Sequence, residues 1–162
     1  MSTKSDAEAR MFAVDTRFQQ LARRPGGVPR TRALQNAQAE IEQDKSKVDA
    51  SLDQEINAIA ELLQAARAGK AEANWPETMC ERSRRLRDVG TTVGYPLLTF
   101  VAANLCDILE RPEATEPTGL ESIACHIDSL FLARRREYRN LRPEQLPELS
   151  QGLYRISGHH GS

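Results

Sequence analysis

The sequence predicts an all-α protein, an antiparallel up-down-up-down four-helix bundle with a long first helix and an N-terminal helical arm. Apolar residues recur at three- and four-residue steps along most of the chain, and no alternating strand pattern competes with them. Aromatic residues make up only 5% of the chain, so the core must consist mainly of Leu, Ile, Val and Ala. Short connections between successive helices imply antiparallel neighbours.

Three parts are predicted along the chain. Residues 1–30 form an N-terminal arm and a Pro/Gly linker, residues 31–140 form the helical bundle, and residues 141–162 form a C-terminal turn, a short helix and a loose tail. Within the arm, a short amphipathic helix is predicted to end before Pro25-Gly26-Gly27. Its apolar residues are Met11, Val14, Phe18, Leu21 and Ala22.

The first bundle helix is predicted to run from Thr31, a candidate N-cap, to Ala68, with Gly69 as its stop. Such a helix would be about 57 Å long at about 1.5 Å per residue, which exceeds one bundle layer. We therefore expect the stretch from Leu34 to Val48 to project. Its heptad-like stripe favours either a homodimer or a clasp with residues 11–22.

The second helix is predicted to follow Asn74 as its cap and to stop at the corner Gly94-Tyr95-Pro96. Helical spacing assigns an inward stripe to Met79, Leu86, Val89 and Val93. The i, i+3, i+4 and i+7 spacing assigns one exposed polar face to Arg84, Arg87, Asp88 and Thr91. A crowded polar face on one helix of a bundle is a candidate place for function.

The third helix is predicted to begin at Pro96 and to be followed by a loop up to Pro117. Thr118 and Glu121 have the spacing of a capping box at the start of a fourth helix. The predicted inner stripe of that helix is Leu120, Ile123, Ile127, Leu130, Phe131 and Arg134. A last short helix is predicted around Leu149, Leu153, Tyr154 and Ile156.

Composition restricts the function classes. The formal net charge of −1 argues against a strongly basic nucleic-acid binder. No apolar run approaches the roughly 18–20 residues of a membrane span, and Met1 to Arg10 is polar, so we expect a cytoplasmic protein. Cys80, Cys106 and Cys125 are too widely spaced for a zinc pattern and are interpreted as small buried hydrophobes.

The second helix and its corner resemble a known family. The runs Arg84-Arg85-Leu86-Arg87 and Gly90-Thr91-Thr92-Val93-Gly94-Tyr95-Pro96-Leu97-Leu98 are similar to the signature of histidine-containing phosphotransfer (HPt) domains, especially stand-alone alphaproteobacterial ones. Ala102 to Glu110 resembles the family's third helix, and Ile123 to Leu130 its closing helix. The resemblance covers roughly residues 47–139 and implies a bundle that takes part in two-component phosphorelays.

The resemblance also indicates a lost phospho-acceptor. Aligned on Gly94-Tyr95-Pro96, Arg84 occupies the position of the family's histidine, Arg87 that of its lysine, and Asp88 that of the glycine that usually follows. A protonated guanidinium has no free lone pair with which to attack a phosphoryl group. It can, however, grip carboxylate or phosphoryl oxygens. The alternative interpretation treats these arginines as solvated charges paired with Asp88 and Glu81.

Other chemistries find less support in the sequence. His126 is the less favoured phospho-acceptor, because it lies beside the inner stripe of the fourth helix and is expected to be half-buried. His159 and His160 belong to the loose tail. No phosphate loop, metal-binding Glu-x-x-His pair or nucleophile elbow is present, so neither an enzyme nor a metal or cofactor site is predicted. Nucleic-acid binding would need the arginines near Arg82 and Arg134 to form one patch.

The sequence thus predicts a pseudo-HPt signalling protein that binds a response-regulator receiver domain or a histidine kinase without carrying phosphate. Its partner-binding face would consist of Arg84, Arg87, Asp88 and Thr91. The alternative is a structural dimerisation or adaptor bundle with no phosphorelay role.

Overall fold

The computed structural model describes residue 26 and residues 29–158, and in these residues all regular secondary structure is helical. The α-helices are α1 (Arg30–Arg67), α2 (Trp75–Val93), α3 (Pro96–Leu109), α4 (Pro117–Arg134) and α5 (Pro147–Ile156). Short 3-10 helices span Pro112–Thr115 and Pro143–Gln145. The predicted all-α class is confirmed. The predicted arm helix at residues 11–22 and the histidines of the tail lie outside the described residues.

By its internal contacts the chain divides into two units, Met1–Asp44 and Lys45–Ser162. In the described part of the first unit, residues 30–44 are helical, and every one of them is exposed. The hydrophobic core described below belongs to the second unit.

Proline and glycine set most of the helix ends. Pro96, Pro117 and Pro147 each occupy the first position of a helix, where the missing N–H would have no helical partner. Gly69 and Gly94 follow α1 and α2 with φ values of +67° and +78°, a left-handed conformation that glycine adopts without a Cβ clash. The tight corner between α2 and α3 therefore depends on Gly94.

Two predicted caps are wrong. Thr31 lies inside α1, which begins at Arg30. Thr118 does not cap α4, because Pro117 already starts the helix and Glu116 takes the cap position without a side-chain capping bond. The Thr118 carbonyl instead accepts a hydrogen bond from the Ser122 hydroxyl.

The core of the second unit is aliphatic and centres on α3. Its contribution from α1 is Leu52, Ile56, Ile59 and Leu63, which follow the predicted stripe. The contribution from α3 is Leu97, Leu98, Val101, Ala102, Asn104, Leu105, Cys106, Ile108 and Leu109. The contribution from α4 includes Ile123, Ile127, Leu130 and Arg134, whereas Phe131 is exposed against the prediction.

The predicted inward stripe of α2 is only half right. Met79 and Leu86 are buried, but Val89 and Val93 are exposed. Ser83 and Gly90 take the inward positions instead. At Gly90 the backbone of α2 lies so close to α3 that an added Cβ would be 2.7 Å from Thr99 Oγ1. Because α2 approaches α3 most closely at Gly90, this residue faces the core, and Val89 and Val93 remain exposed.

A partly buried ionic group, here called the Asp49 cluster, joins α1 to the corner and to the end of α4. It consists of Asp49, Asp53, Tyr95, Arg134 and Arg139. The Tyr95 hydroxyl donates to Asp49 Oδ1 at 2.9 Å, and Arg139 Nη1 lies 3.2 Å from Asp49 Oδ2. Arg134 Nη1 is 3.3 Å from Asp49 Oδ1, while its Nε donates to Asp53 at 2.7 Å.

The two guanidinium groups of the Asp49 cluster also lie over the Tyr95 ring, at 5.5 and 5.7 Å from its centroid. Burial raises the pKa of Tyr95, and the hydrogen bond to Asp49 raises it further. For Arg134, burial lowers the pKa, but the hydrogen bond to Asp53 and the charges of both aspartates more than offset this, so its pKa is raised. The cluster therefore holds Arg134 charged although its side chain is only 7% exposed.

Candidate functional site

The four predicted site residues lie on one side of α2, which we call the Arg84 face (Arg84, Arg87, Asp88 and Thr91). Three of them are exposed and Arg87 is half-buried. The helix presents them because its opposite side, from Met79 to Gly90, is fixed in the core. The 3.6-residue period then brings residues 84, 87, 88 and 91 together.

Arg84 is held by a carboxylate from the neighbouring helix. Its Nη2 donates to Glu110 Oε1 at 2.7 Å, and both side chains remain about half exposed, at 49% and 57%. This hydrogen bond raises the pKa of Arg84. The sequence interpretation paired the arginines with Asp88 and Glu81, but Arg84 pairs with Glu110, which directly follows α3.

The rest of the Arg84 face is tied to its own helix. Arg87 Nε donates to Asp88 Oδ1 at 3.0 Å, as the alternative interpretation expected. The Thr91 hydroxyl donates to the Arg87 carbonyl at 2.9 Å, and the Thr92 hydroxyl donates to the Asp88 carbonyl at 3.0 Å. These bonds use the hydroxyl proton of each threonine and one oxygen of Asp88, so both lone pairs of each threonine oxygen and the other Asp88 oxygen remain available as acceptors.

Two surface depressions flank the Arg84 face. One, of about 340 Å³, has Arg84 and Glu110 at its rim together with Glu77, Glu81 and the Cys80 side chain. Three carboxylates surround one guanidinium there, so the depression is acidic. The other, of about 470 Å³, is lined by Thr91 and by residues of the corner and α3.

On the side of α2 that faces α1, a smaller depression of about 200 Å³ lies between Leu52, Arg85 and Val89. Arg85 is exposed and, within the described residues, has no ion-pair partner. Arg85 is part of the run Arg84-Arg85-Leu86-Arg87 named in the sequence analysis but not of the predicted face, because it lies outside the i, i+3, i+4 set and Val89 was predicted to be core. Arg85 beside an exposed valine is a place where a partner can contact both charge and apolar surface.

Two of the other arginines in the two basic stretches also have carboxylate partners. Arg82 Nη1 lies 2.9 Å from Glu55 Oε2, and Arg134 is buried in the Asp49 cluster. With Arg84 and Arg87 also paired, most of the cations on which a nucleic-acid patch would depend have carboxylate partners.

His126 is fully buried, not half-buried as expected. Its Nδ1 shares a hydrogen bond with the Ser122 carbonyl at 2.8 Å, which identifies Nδ1 as the protonated nitrogen. Its Nε2 is buried without a hydrogen-bond partner among the described residues. A neutral imidazole can lie within the apolar stripe of α4, because the bond to the Ser122 carbonyl leaves Nε2 as its one polar atom without a partner among the described residues.

Acidification is expected to destabilise the protein through His126. Burial lowers the pKa of this histidine below its ordinary value of 6.5, against the smaller effect of the Ser122 bond. The unfolded chain therefore binds the proton first. The stabilisation that comes from a neutral His126 is complete above pH 6.5. Below that pH the free energy of unfolding falls by up to about 1.4 kcal/mol per pH unit, until the pH reaches the pKa of His126 in the folded protein.

Urea unfolding of the wild type and of His126→Leu between about pH 7.5 and 5.5 measures this effect, because most carboxylates stay ionised in that range. The wild-type free energy of unfolding should fall with pH, and that of the variant should change less. Equal slopes for the two proteins would contradict the assignment.

The three cysteines are not reactive candidates. Cys80 and Cys106 are buried, and the Cys106 thiol donates towards the Cys80 carbonyl at 3.8 Å. Burial first, and the neighbouring Cys80 second, raise the pKa of Cys106 to about 12. Burial also raises the pKa of Cys125. The Cys106 and Cys125 thiols therefore stay protonated near neutral pH. Cys80 and Cys106 pack as small buried apolar groups, whereas Cys125 is half-buried.

Within the described residues, no group of three or more His, Cys, Asp or Glu side chains is placed to hold a metal ion. None of the described helices combines the length and apolarity that crossing a membrane requires. No protein-family model, no curated protein and no solved structure matches the chain, so the resemblance to HPt domains stays a prediction from the sequence.

Proposed function

We propose that the protein is a pseudo-HPt signalling protein, which binds a receiver domain or a histidine kinase of a two-component phosphorelay and carries no phosphate itself. In this proposal it acts by binding rather than by catalysis. The observation that carries the proposal is the exposed Arg84 guanidinium at the position that corresponds to the family's phospho-acceptor.

The proposal includes the antiparallel four-helix bundle of that family, formed by α1 to α4. Its support comes from contacts that run in opposite order along two helices, so that a later residue of one helix meets an earlier residue of the other. For α1 and α4 these pairs are Arg67 with Glu121 and Asp53 with Arg134. For α2 and α3 they are Cys80 with Cys106 and Gly90 with Thr99.

The alignment on the corner is supported by its geometry. Gly94 has φ of +78°, and the N–H groups of Gly94 and Tyr95 both donate to the Gly90 carbonyl. A left-handed corner of this kind favours glycine, and the alignment with the HPt signature counts residues back from it to Arg84. The assignment of Arg84 to the acceptor position depends on that count.

Arg84 and Arg85 can each bind an acidic group of a partner, although the depression beside Arg84 is itself acidic. A receiver domain carries carboxylates at its phosphorylation site, and a guanidinium can bind carboxylate or phosphoryl oxygens through two N–H groups at once. Arg85 adds a second exposed cation beside Val89. Because the remaining arginines of α2 already have carboxylate partners, this surface favours a local acidic contact over the extended phosphate backbone of a nucleic acid.

We expect Arg84→Ala to weaken binding to a receiver domain phosphorylated with acetyl phosphate by about tenfold, since one charge-assisted contact is lost. Isothermal titration calorimetry with a panel of receiver domains measures the change. Arg136→Ala is the matched control, because Arg136 is an exposed arginine beyond the end of α4. Its affinity should stay within about twofold of wild type, as expected for a charge outside the contact.

The same phosphorylated receiver domains also test the expectation that the protein accepts no phosphoryl group from them. No acid-labile phosphate should appear on the protein, because Arg84 has no lone pair and the His126 ring is buried. Phosphate found on the wild type and lost in His126→Ala would refute the non-acceptor role. Binding that Arg84→Ala and Arg136→Ala weaken equally would refute the assignment of the face.

A structural dimerisation or adaptor bundle without a phosphorelay role is the second candidate. It is favoured by the finding that Arg84 and Arg87 both have carboxylate partners within the chain, as ordinary surface arginines do. This candidate predicts no binding to any receiver domain or histidine kinase.

A further inference from the structure

A groove runs along the surface where the end of the described chain packs on α3. One part is the depression of about 470 Å³ at the corner between α2 and α3, and the other is a depression of about 540 Å³ beside α5. Phe100 lines both parts, so the two depressions adjoin at its ring. The corner part also contains Pro96, and the part beside α5 contains Pro143 and Pro147. We call the residues that line the two depressions the Phe100 groove.

The Phe100 ring offers a positioned apolar surface in the middle of this groove. Its centroid lies 5.6 Å from that of the Tyr154 ring, and the two ring planes are inclined by 39°. Phe100 is only half-buried, so part of the ring remains accessible from the groove. Aromatic-lined surface grooves bind extended, proline-containing peptide segments, whose preformed conformation loses little entropy on binding.

Two opposite charges lie in the two parts of the Phe100 groove. Arg142 lines the corner part, where no described acidic residue accompanies it. Glu144 lines the part beside α5, where no described basic residue accompanies it. Both side chains are exposed, and neither forms an ion pair with another described residue. A ligand that lies across Phe100 therefore meets a positive charge on one side of the ring and a negative charge on the other.

The backbone that carries these charges is fixed by a short 3-10 helix, Pro143–Gln145. The Arg142 N–H donates to Gln145 Oε1 at 2.8 Å, and the Gln145 N–H donates to the Arg142 carbonyl at 3.0 Å. The two bonds close the turn from both ends. Arg142 and Glu144 therefore project from a defined backbone, on either side of Pro143.

We propose that the Phe100 groove binds an extended peptide segment of a partner protein. An acidic residue of the segment pairs with Arg142, an apolar residue packs on Phe100, and a basic residue pairs with Glu144. The charges of the groove thus specify a segment with opposite charges on the two sides of an apolar residue. Residues 142–154 lie outside the stretch that resembles HPt domains, so this site does not depend on the phosphorelay role.

The shape of the groove favours a peptide over a small molecule. Sites for small molecules enclose most of the ligand surface. Here both depressions are open to solvent, and exposed residues such as Arg142, Glu144 and Pro147 form their rims. An open groove with one apolar centre and a charge on each side matches a length of extended chain.

Selection from a displayed library of random heptapeptides, with the full chain as bait, tests the proposal. Enriched peptides should carry an acidic and a basic residue on opposite sides of an apolar one. Fluorescence polarisation with an enriched peptide should show about tenfold weaker binding to Arg142→Ala, since one charge-assisted contact is lost. Replacing the acidic residue of the peptide by alanine should then cost little further affinity, because the two changes remove the same contact.

Glu144→Ala should behave in the same way towards the basic residue of the peptide. Arg136→Ala is the matched control, because Arg136 is exposed but lines neither depression, and its affinity should stay within about twofold of wild type. Absence of any enriched peptide, or equal effects of Arg142→Ala and Arg136→Ala, would overturn the proposal. So would self-association that Arg142→Ala weakens in sedimentation equilibrium, since a second copy would then be the occupant.

Discussion

Asp49→Ala is expected to lower the free energy of unfolding by about 3 kcal/mol, because Arg139 loses its carboxylate partner and the buried Arg134 keeps only Asp53. The Asp49 side chain is only 20% exposed and Arg134 only 7%. The carboxylate accepts hydrogen bonds from the Tyr95 hydroxyl and from Arg139 and lies 3.3 Å from Arg134 Nη1, so two donors lose an acceptor together. Chemical denaturation at neutral pH measures the change.

The control for this prediction is Glu121→Ala. Glu121 pairs with Arg67 at the surface, and their side chains are 76% and 44% exposed, so the loss should stay below about 1 kcal/mol. Asp49→Asn should fall between the two, since an amide keeps the shape and one acceptor but not the charge. Equal effects of Asp49→Ala and Glu121→Ala would show that the cluster contributes nothing special.

Gly119→Ala is expected to cost about 2–3 kcal/mol, although alanine is the better helix former. Gly119 is buried in the first turn of α4, beneath the 3-10 helix at Pro112–Thr115. An added Cβ would press against the Glu113 carbonyl oxygen and lie 2.7 Å from the Ala114 carbonyl oxygen. Both are backbone atoms, so the whole turn would have to move.

Gly152→Ala is expected to change the free energy of unfolding in the opposite direction and serves as the control. Gly152 lies within α5 and has nothing within 4 Å of an added Cβ. Alanine there should stabilise the protein by about 0.5–1 kcal/mol through its higher helix propensity. Thermal or urea unfolding of the two variants separates the steric effect at residue 119 from helix propensity, and a stabilised Gly119→Ala would contradict the close packing.

Helix ends and core stripes could be predicted from the sequence because they depend on local chemistry. Gly69, Gly94 and Pro96 mark their boundaries through backbone geometry that neighbours do not alter. The stripe of α1 from Leu52 to Leu63 follows from period alone. The exposed polar face of α2 was predicted for the same reason.

Contacts between distant residues could not be predicted in this way. The Asp49 cluster joins residues 46 to 90 positions apart, and no local pattern marks its members. Glu110 escaped notice as the partner of Arg84 for the same reason.

The α2 stripe shows how one backbone contact overrides a pattern. Val89 and Val93 continue the seven-residue spacing of Met79 and Leu86, yet they are exposed. The close approach of Gly90 to Thr99 makes the glycine the inward residue. The spacing of apolar residues predicts which side of a helix faces the core to within about one residue. The position of the smallest residue, here Gly90, decides where the two helices approach most closely.

For the proposed binding of an acidic partner, the Arg84–Glu110 pair implies competition. Glu110 already accepts from Arg84 Nη2, so a partner anion that takes this donor gains only the difference between two similar surface contacts. An anion that fits the guanidinium no better than Glu110 would then gain little affinity from Arg84.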